Sequence, residues 1–185
     1  MKIEKYNAYN ETAERCAKNF QFFKEKIFPY TLKWEGGSRL HKVKGDSGGW
    51  TAFGIAYEKN KALFTSLEDF QSLRYGQAVL IAYVDYYRAL RCDLVPKNVQ
   101  LVYFDMGYNL GVPRTVRYMQ RCIGVKQDGV IGPVTRSKMK GLKKSCLQER
   151  REMYYTYLKM RNEKYEQFYQ GWMNRAEDIF KVRMG

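Results

Sequence analysis

Trp34-Glu35-Gly36-Gly37 and, further on, Asp46-Ser47-Gly48-Gly49-Trp50-Thr51-Ala52-Phe53-Gly54-Ile55 frame the stretch that decides how this chain is read. Each half sets a carboxylate beside a glycine pair, and the second adds a threonine and aromatic rings. Glycine pairs let the backbone turn and approach a ligand with no Cβ in the way. Pro29 suits the first turn of a short helix, Tyr30 to Glu35 its body and Gly36-Gly37 its stop. Glu35 then occupies the last turn, where the negative end of the helix dipole and apolar neighbours such as Trp34 favour its protonated form. A glutamic acid that keeps its proton near neutral pH is what protonation of a glycosidic oxygen requires. A solvated Glu35 ahead of a Gly-Gly turn fits the same local pattern.

The order of the parts resembles glycoside hydrolase family 108, bacterial and phage N-acetylmuramidases also described as secretion activators. That signature runs E-G-G-aromatic, a short loop, then D-x-G-G-x-T-x-x-G-[IV], matched here by Glu35 to Gly37 and Asp46 to Ile55. Ser38, Arg39, Leu40 and His41 stand where the family has its aromatic and Asn, and the run to Asp46 is longer than usual. The resemblance implies a mainly α, lysozyme-like fold, a single compact domain with a short loop or strand region at the active site. It carries Glu35 over as the catalytic acid, with Asp46 and Thr51 orienting or activating water. Trp50, beside the glycines, is a candidate for sugar stacking.

Three further segments extend the resemblance over nearly the whole chain. Phe104-Asp105-Met106-Gly107-Tyr108-Asn109-Leu110-Gly111 looks like the family's F-D-x-x-x-N-x-G segment, which implies that Tyr108 and Asn109 hold sugar hydroxyl or acetamido groups. Asn109 is equally suited to capping the helix that Pro113 begins. Gly124 to Thr135 is similar to peptidoglycan-binding modules, although its residue types mostly make turns: Asp128-Gly129 a tight one, and Gly132-Pro133 a helix start. Gly171-Trp172-Met173-Asn174-Arg175 resembles the family's C-terminal G-W-x-x-R, with Trp172 as a core anchor. The implied organisation is a lysozyme-like catalytic half over residues 1–95 and a peptidoglycan-binding-like helical half over 96–185, packed on it.

Helical periodicity supports this outline. Ala13, Ala17, Phe20, Phe23 or Lys24, and Ile27 fall at helical spacing over residues 12–28, with Asn10 or Thr12 able to cap the start. Residues 37–53 show little period, helix resumes near Ile55 to Leu63, and Ser66-Leu67-Glu68-Asp69 reads as a capping box. Leu80, Ile81, Val84, Tyr87 and Leu90 continue a buried stripe; Pro96 opens a helix with Val99, Val102, Tyr103, Met106 and Leu110 on one face. The last 40 or so residues read as helix, with Leu147, Arg151, Tyr154 and Leu158 on related faces.

Composition narrows the function classes. At 185 residues the chain buries one good core, and its 16 Tyr and 10 Phe supply much of it. A net charge of +14 draws the protein toward polyanions. No zinc-finger spacing, RNP-type strand or basic arm marks a specific nucleic-acid partner, and basic residues recur throughout the chain. Peptidoglycan strands and anionic cell-wall polymers are the expected partners; oligomeric state is left open. Cys16, Cys92, Cys122 and Cys146 lie far apart with a single histidine, His41, so no metal site is expected, and reduced thiols in a reducing compartment are. No P-loop, dinucleotide fingerprint or H-E-x-x-H calls for a cofactor, and no apolar run is long enough to span a membrane. Without a signal-like apolar run at Met1 to Thr12, the expectation is a protein held in the cytoplasm until it is released to the wall.

Overall fold

The computed structural model describes residues 1–36, 40–42 and 49–184. It is mainly α, and the chain forms two compact units, Met1–Tyr87 and Arg88–Gly185.

In the first unit helix begins earlier than the capping residues suggest: α1 spans Ile3–Arg15 and α2 Ala17–Phe22, continued by a π-helical turn over Phe23–Ile27. The chain's start is held from outside the helix, since the Lys2 amide donates to the Leu63 carbonyl and the Met1 ammonium pairs with Asp69. α3 (Phe28–Trp34) carries Pro29 in its first turn and ends at Glu35, with Gly36 left-handed at φ 73°. Strands β1 (His41–Lys42), β2 (Trp50–Ala52) and β3 (Ile55–Ala56) form an antiparallel sheet in that order. Ile55–Ala56 is thus strand, and helix resumes only at α4 (Tyr57–Asn60). The β2–β3 link is a two-residue hairpin in which Phe53 (φ 54°) and Gly54 (φ 83°) are both left-handed, the geometry that matches the strand twist. Phe53 tolerates this backbone because its ring is buried and meets Tyr75 at 6.3 Å.

α5 (Leu67–Gln71) starts with the Asp69 amide donating to Ser66 Oγ at 3.2 Å, as the capping pattern predicts. α6 (Tyr75–Ile81) runs into a second π-helical segment over Ala82–Arg88. The extra residue per turn lets Tyr83 and Tyr87 stack at 5.4 Å and close on Phe23 of the first π turn at 5.4 and 5.1 Å. Each such fully buried ring contributes about 1.5–3 kcal/mol.

The second unit is built around α7 (Lys97–Leu110), buried from Val99 through Tyr108 on every face, as expected of a central helix. Around it lie α8 (Val112–Cys122), α9 (Pro133–Lys138), α10 (Lys144–Arg161) and α11 (Glu166–Lys181). The terminal helix is interrupted at Asn162, whose side chain accepts from the Lys164 amide. Residues 124–132 are pinned by one buried amide: Gln120 Oε1 accepts from the Gly129 amide at 2.8 Å, and its Nε2 donates to Asp128 Oδ1 at 2.7 Å and to the Val130 carbonyl at 3.0 Å. The D-G-x-x-G segment is therefore occupied with shaping its own turn.

Two findings differ from the sequence reading. Cys122 and Cys146 are disulfide-bonded, with Cα atoms 5.9 Å apart, where reduced thiols are expected from the sequence, while the buried Cys92 is a free thiol. Spacing alone could not pair two cysteines on different helices; the packing of α8 against α10 does. The motif residues Asp105, Arg151 and Arg175 also meet in the core. Asp105 is fully buried, with Arg175 Nη2 at 2.8 Å from Oδ1, Arg175 Nε at 3.2 Å from both oxygens and Arg151 Nη2 at 2.7 Å from Oδ2. One carboxylate thus joins α7, α10 and α11.

Asp105→Asn leaves two buried guanidiniums without their anion, so we expect a loss of about 3–5 kcal/mol in denaturant unfolding. Replacing Cys122 and Cys146 together by Ser opens a loop with a sequence separation of 24, and should cost about 2–4 kcal/mol in the same measurement, with reductant producing the same shift in wild type.

Candidate active site

Glu35 sits at the C-terminal end of α3, where its amide donates to the Leu32 carbonyl at 3.0 Å and Gly36 turns the chain away. The residue is half-buried. Tyr86, on the π-helical segment, lies within electrostatic reach: burial raises its hydroxyl's pKa most, and the carboxylates of Asp85 and Glu35 push it further in the same direction. Asp85 is itself half-buried and accepts a 2.7 Å hydrogen bond from Tyr9; burial holds its own carboxyl above the usual range. The sequence reading missed Tyr86 because a period of 3.6 places it off the buried stripe, whereas it lies on a π-helical segment.

Thr51 is central in the sheet, paired with His41 on one side and Ala56 on the other. Trp50 precedes it on β2, and consecutive strand residues project to opposite faces, so Trp50 shares a face with the buried Ala52 and Thr51 points the other way. Asp46 lies outside the described residues. A carboxylate the sequence reading did not single out, Glu58 of α4, lies against Gly49: a Cβ there, where φ is 63°, would stand 3.5 Å from its Cγ. Glu58 also pairs with Lys61 at 2.5 Å. Among the described residues no group of three or more His, Cys, Asp or Glu could hold a metal ion.

In the second unit Tyr108 is 8% exposed, its ring 5.5 Å from Phe104, whereas Asn109 is exposed. Asn109 does not cap α8; that helix begins from Gly111 with no side-chain cap. Instead, hydrogen-bond chemistry fixes the orientation of its amide. Arg151 Nε can only donate, and it donates to Tyr155 Oη at 3.0 Å; the Tyr155 proton is thereby directed to Asn109 Oδ1 at 2.7 Å. Asn109 Nδ2 is left as the outward-facing donor, suited to a carbonyl acceptor. Tyr155 is held in turn by stacking on Trp172 at 5.3 Å.

Residues 28–111 match the family described as Glycosyl hydrolase 108, and residues 114–177 match a Predicted Peptidoglycan domain. Nothing among curated proteins matches the chain. Among solved structures, SagA of Brucella abortus superposes with a TM-score of 0.70 at 24% identity, over 89% of this chain and 92% of that one, which establishes the lysozyme-like fold. The chain thus contains a glycosyl hydrolase 108 segment followed by a predicted peptidoglycan domain.

Proposed function

We propose that the chain is a muramidase, hydrolysing the glycan between N-acetylmuramic acid and N-acetylglucosamine. The observation that carries this reading is Glu35: a half-buried carboxyl at a helix end, released by a left-handed glycine, inside the segment that matches a glycosyl hydrolase family. Glu35 protonates the glycosidic oxygen as the C–O bond breaks and the anomeric carbon gains oxocarbenium character. Thr51, facing away from the core side of its sheet, and Asp46 orient the attacking water. Carboxyls about 6.5–9.5 Å apart would leave room for that water and give an inverting course. Trp50 and Tyr108 help hold the sugars, while Asn109 Nδ2 donates to an acetamido carbonyl. The Cys122–Cys146 disulfide suits a destination outside the reducing cytosol, to which a protein held in the cytoplasm is released.

Glu35→Gln keeps shape and removes the transferable proton, so reducing-end release from purified peptidoglycan should fall about 10²- to 10⁴-fold while sacculus binding persists. Folded wild type that binds sacculi and releases no ends would make the protein a wall-binding module instead. Tyr155→Phe keeps the ring stacked on Trp172 but frees the Asn109 amide to rotate. Its KM for N-acetylated glycan should rise roughly threefold to tenfold with kcat little changed, as for loss of one neutral hydrogen bond; de-N-acetylated glycan should not register the change.

A further inference from the structure

The segment that resembles peptidoglycan-binding modules spends its polar groups on its own turn, so recognition in the second unit must come from another surface. Residues 88–185 hold 20 Lys and Arg against 9 Asp and Glu, +11 of the chain's +14, so the net charge is concentrated in this unit. α8 has Arg114, Arg117 and Arg121 and no acidic residue. It pairs antiparallel with α10, closed at one end by the Cys122–Cys146 disulfide and at the other by Arg114, which lies 4.3 Å over the Tyr154 ring and donates to its hydroxyl at 2.5 Å.

Between these two ties the seam opens into a cavity of about 270 Å³ lined by Tyr118, Arg121, Arg150, Met153, Tyr154 and Tyr157. Burial raises the pKa of the Tyr118 hydroxyl, and Arg114, Arg121 and Arg150, within electrostatic reach, oppose that shift. Arg150 shares its charge with Glu149 at 2.9 Å, yet its buried Nε has no partner among the described residues. Glu152 accepts a hydrogen bond from Gln148 at 2.7 Å. Met153 and Tyr157 stand about half exposed at the mouth, and Arg161 donates to the Tyr157 hydroxyl at 2.8 Å.

Planar guanidinium forks match carboxylates in two-point geometry, and the tyrosine rings between them offer apolar faces. The volume accommodates a fragment smaller than a typical drug-sized ligand. We infer that this seam between α8 and α10 binds the carboxylate-bearing peptide stem of peptidoglycan, so that the second unit reads the peptide rather than the sugar. This rests on the reading of the chain as a peptidoglycan-directed protein, not on its catalytic step.

The test is calorimetric titration of the full chain with a disaccharide muropeptide carrying its stem, with the same disaccharide stripped of peptide, and with a single-stranded oligonucleotide. The stemmed ligand should bind at least roughly tenfold tighter than the stripped one, and Arg121→Gln should abolish that margin while its melting temperature and its binding of the stripped disaccharide stay at wild-type values. Arg121→Lys keeps the charge without the fork and should recover only part of it. Equal binding of stemmed and stripped ligands, or an unchanged Arg121→Gln, overturns the seam while leaving the hydrolase reading intact. Binding of the oligonucleotide alone would overturn both.

Discussion

A buried carboxylate with no solvent has to be matched or it unfolds its surroundings, and Asp105 is matched twice, by Arg175 in a two-oxygen contact and by Arg151 at 2.7 Å. Because the three residues come from α7, α10 and α11, their mutual requirement fixes how those helices meet. A chain of polar and ring contacts in the second unit continues from that point. Arg151 passes its orientation to Tyr155, Tyr155 to Asn109, and Tyr155 also stacks on Trp172, three residues before Arg175. Two short motifs about 70 positions apart are thus two ends of one polar structure.

The first unit solves a different problem: how to hold a carboxyl at a helix end with little regular structure after it. Two π-helical turns, each able to carry more rings on one face than an α turn, interlock through Phe23, Tyr83 and Tyr87. That packing supports α3, whose last turn presents Glu35, and brings Tyr86 within reach of the same carboxyl. Strand β2 meanwhile places Trp50 and Thr51 on opposite faces of the sheet.

What could be read from the residues follows from how local the determinants are. Pro29, Glu35 and Gly36 declare a helix start, last turn and stop within eight positions, and the structure has all three. The Pro96 helix and the Ser66 cap were legible for the same reason. The α1 start at Ile3 was not, because it is held by contacts with Leu63 and Asp69 rather than by a capping side chain. Nor were the π turns, whose period departs from 3.6 only slightly, or the Cys122–Cys146 bond, which depends on two helices meeting. At the site, Glu35 came from local pattern, while Glu58 and Tyr86 required the fold to bring them near. Asn109 looked like a cap because only the distant Tyr155 reveals its other use.

In the proposed hydrolysis, water attacks the sugar that Glu35 releases. Digestion of purified sacculi in ¹⁸O-labelled water, followed by mass analysis of the fragments, tests this most directly. One labelled oxygen at the reducing N-acetylmuramic acid end of each new fragment is the predicted result; unlabelled fragments ending in the anhydro sugar would contradict it and make the sugar's own hydroxyl the nucleophile.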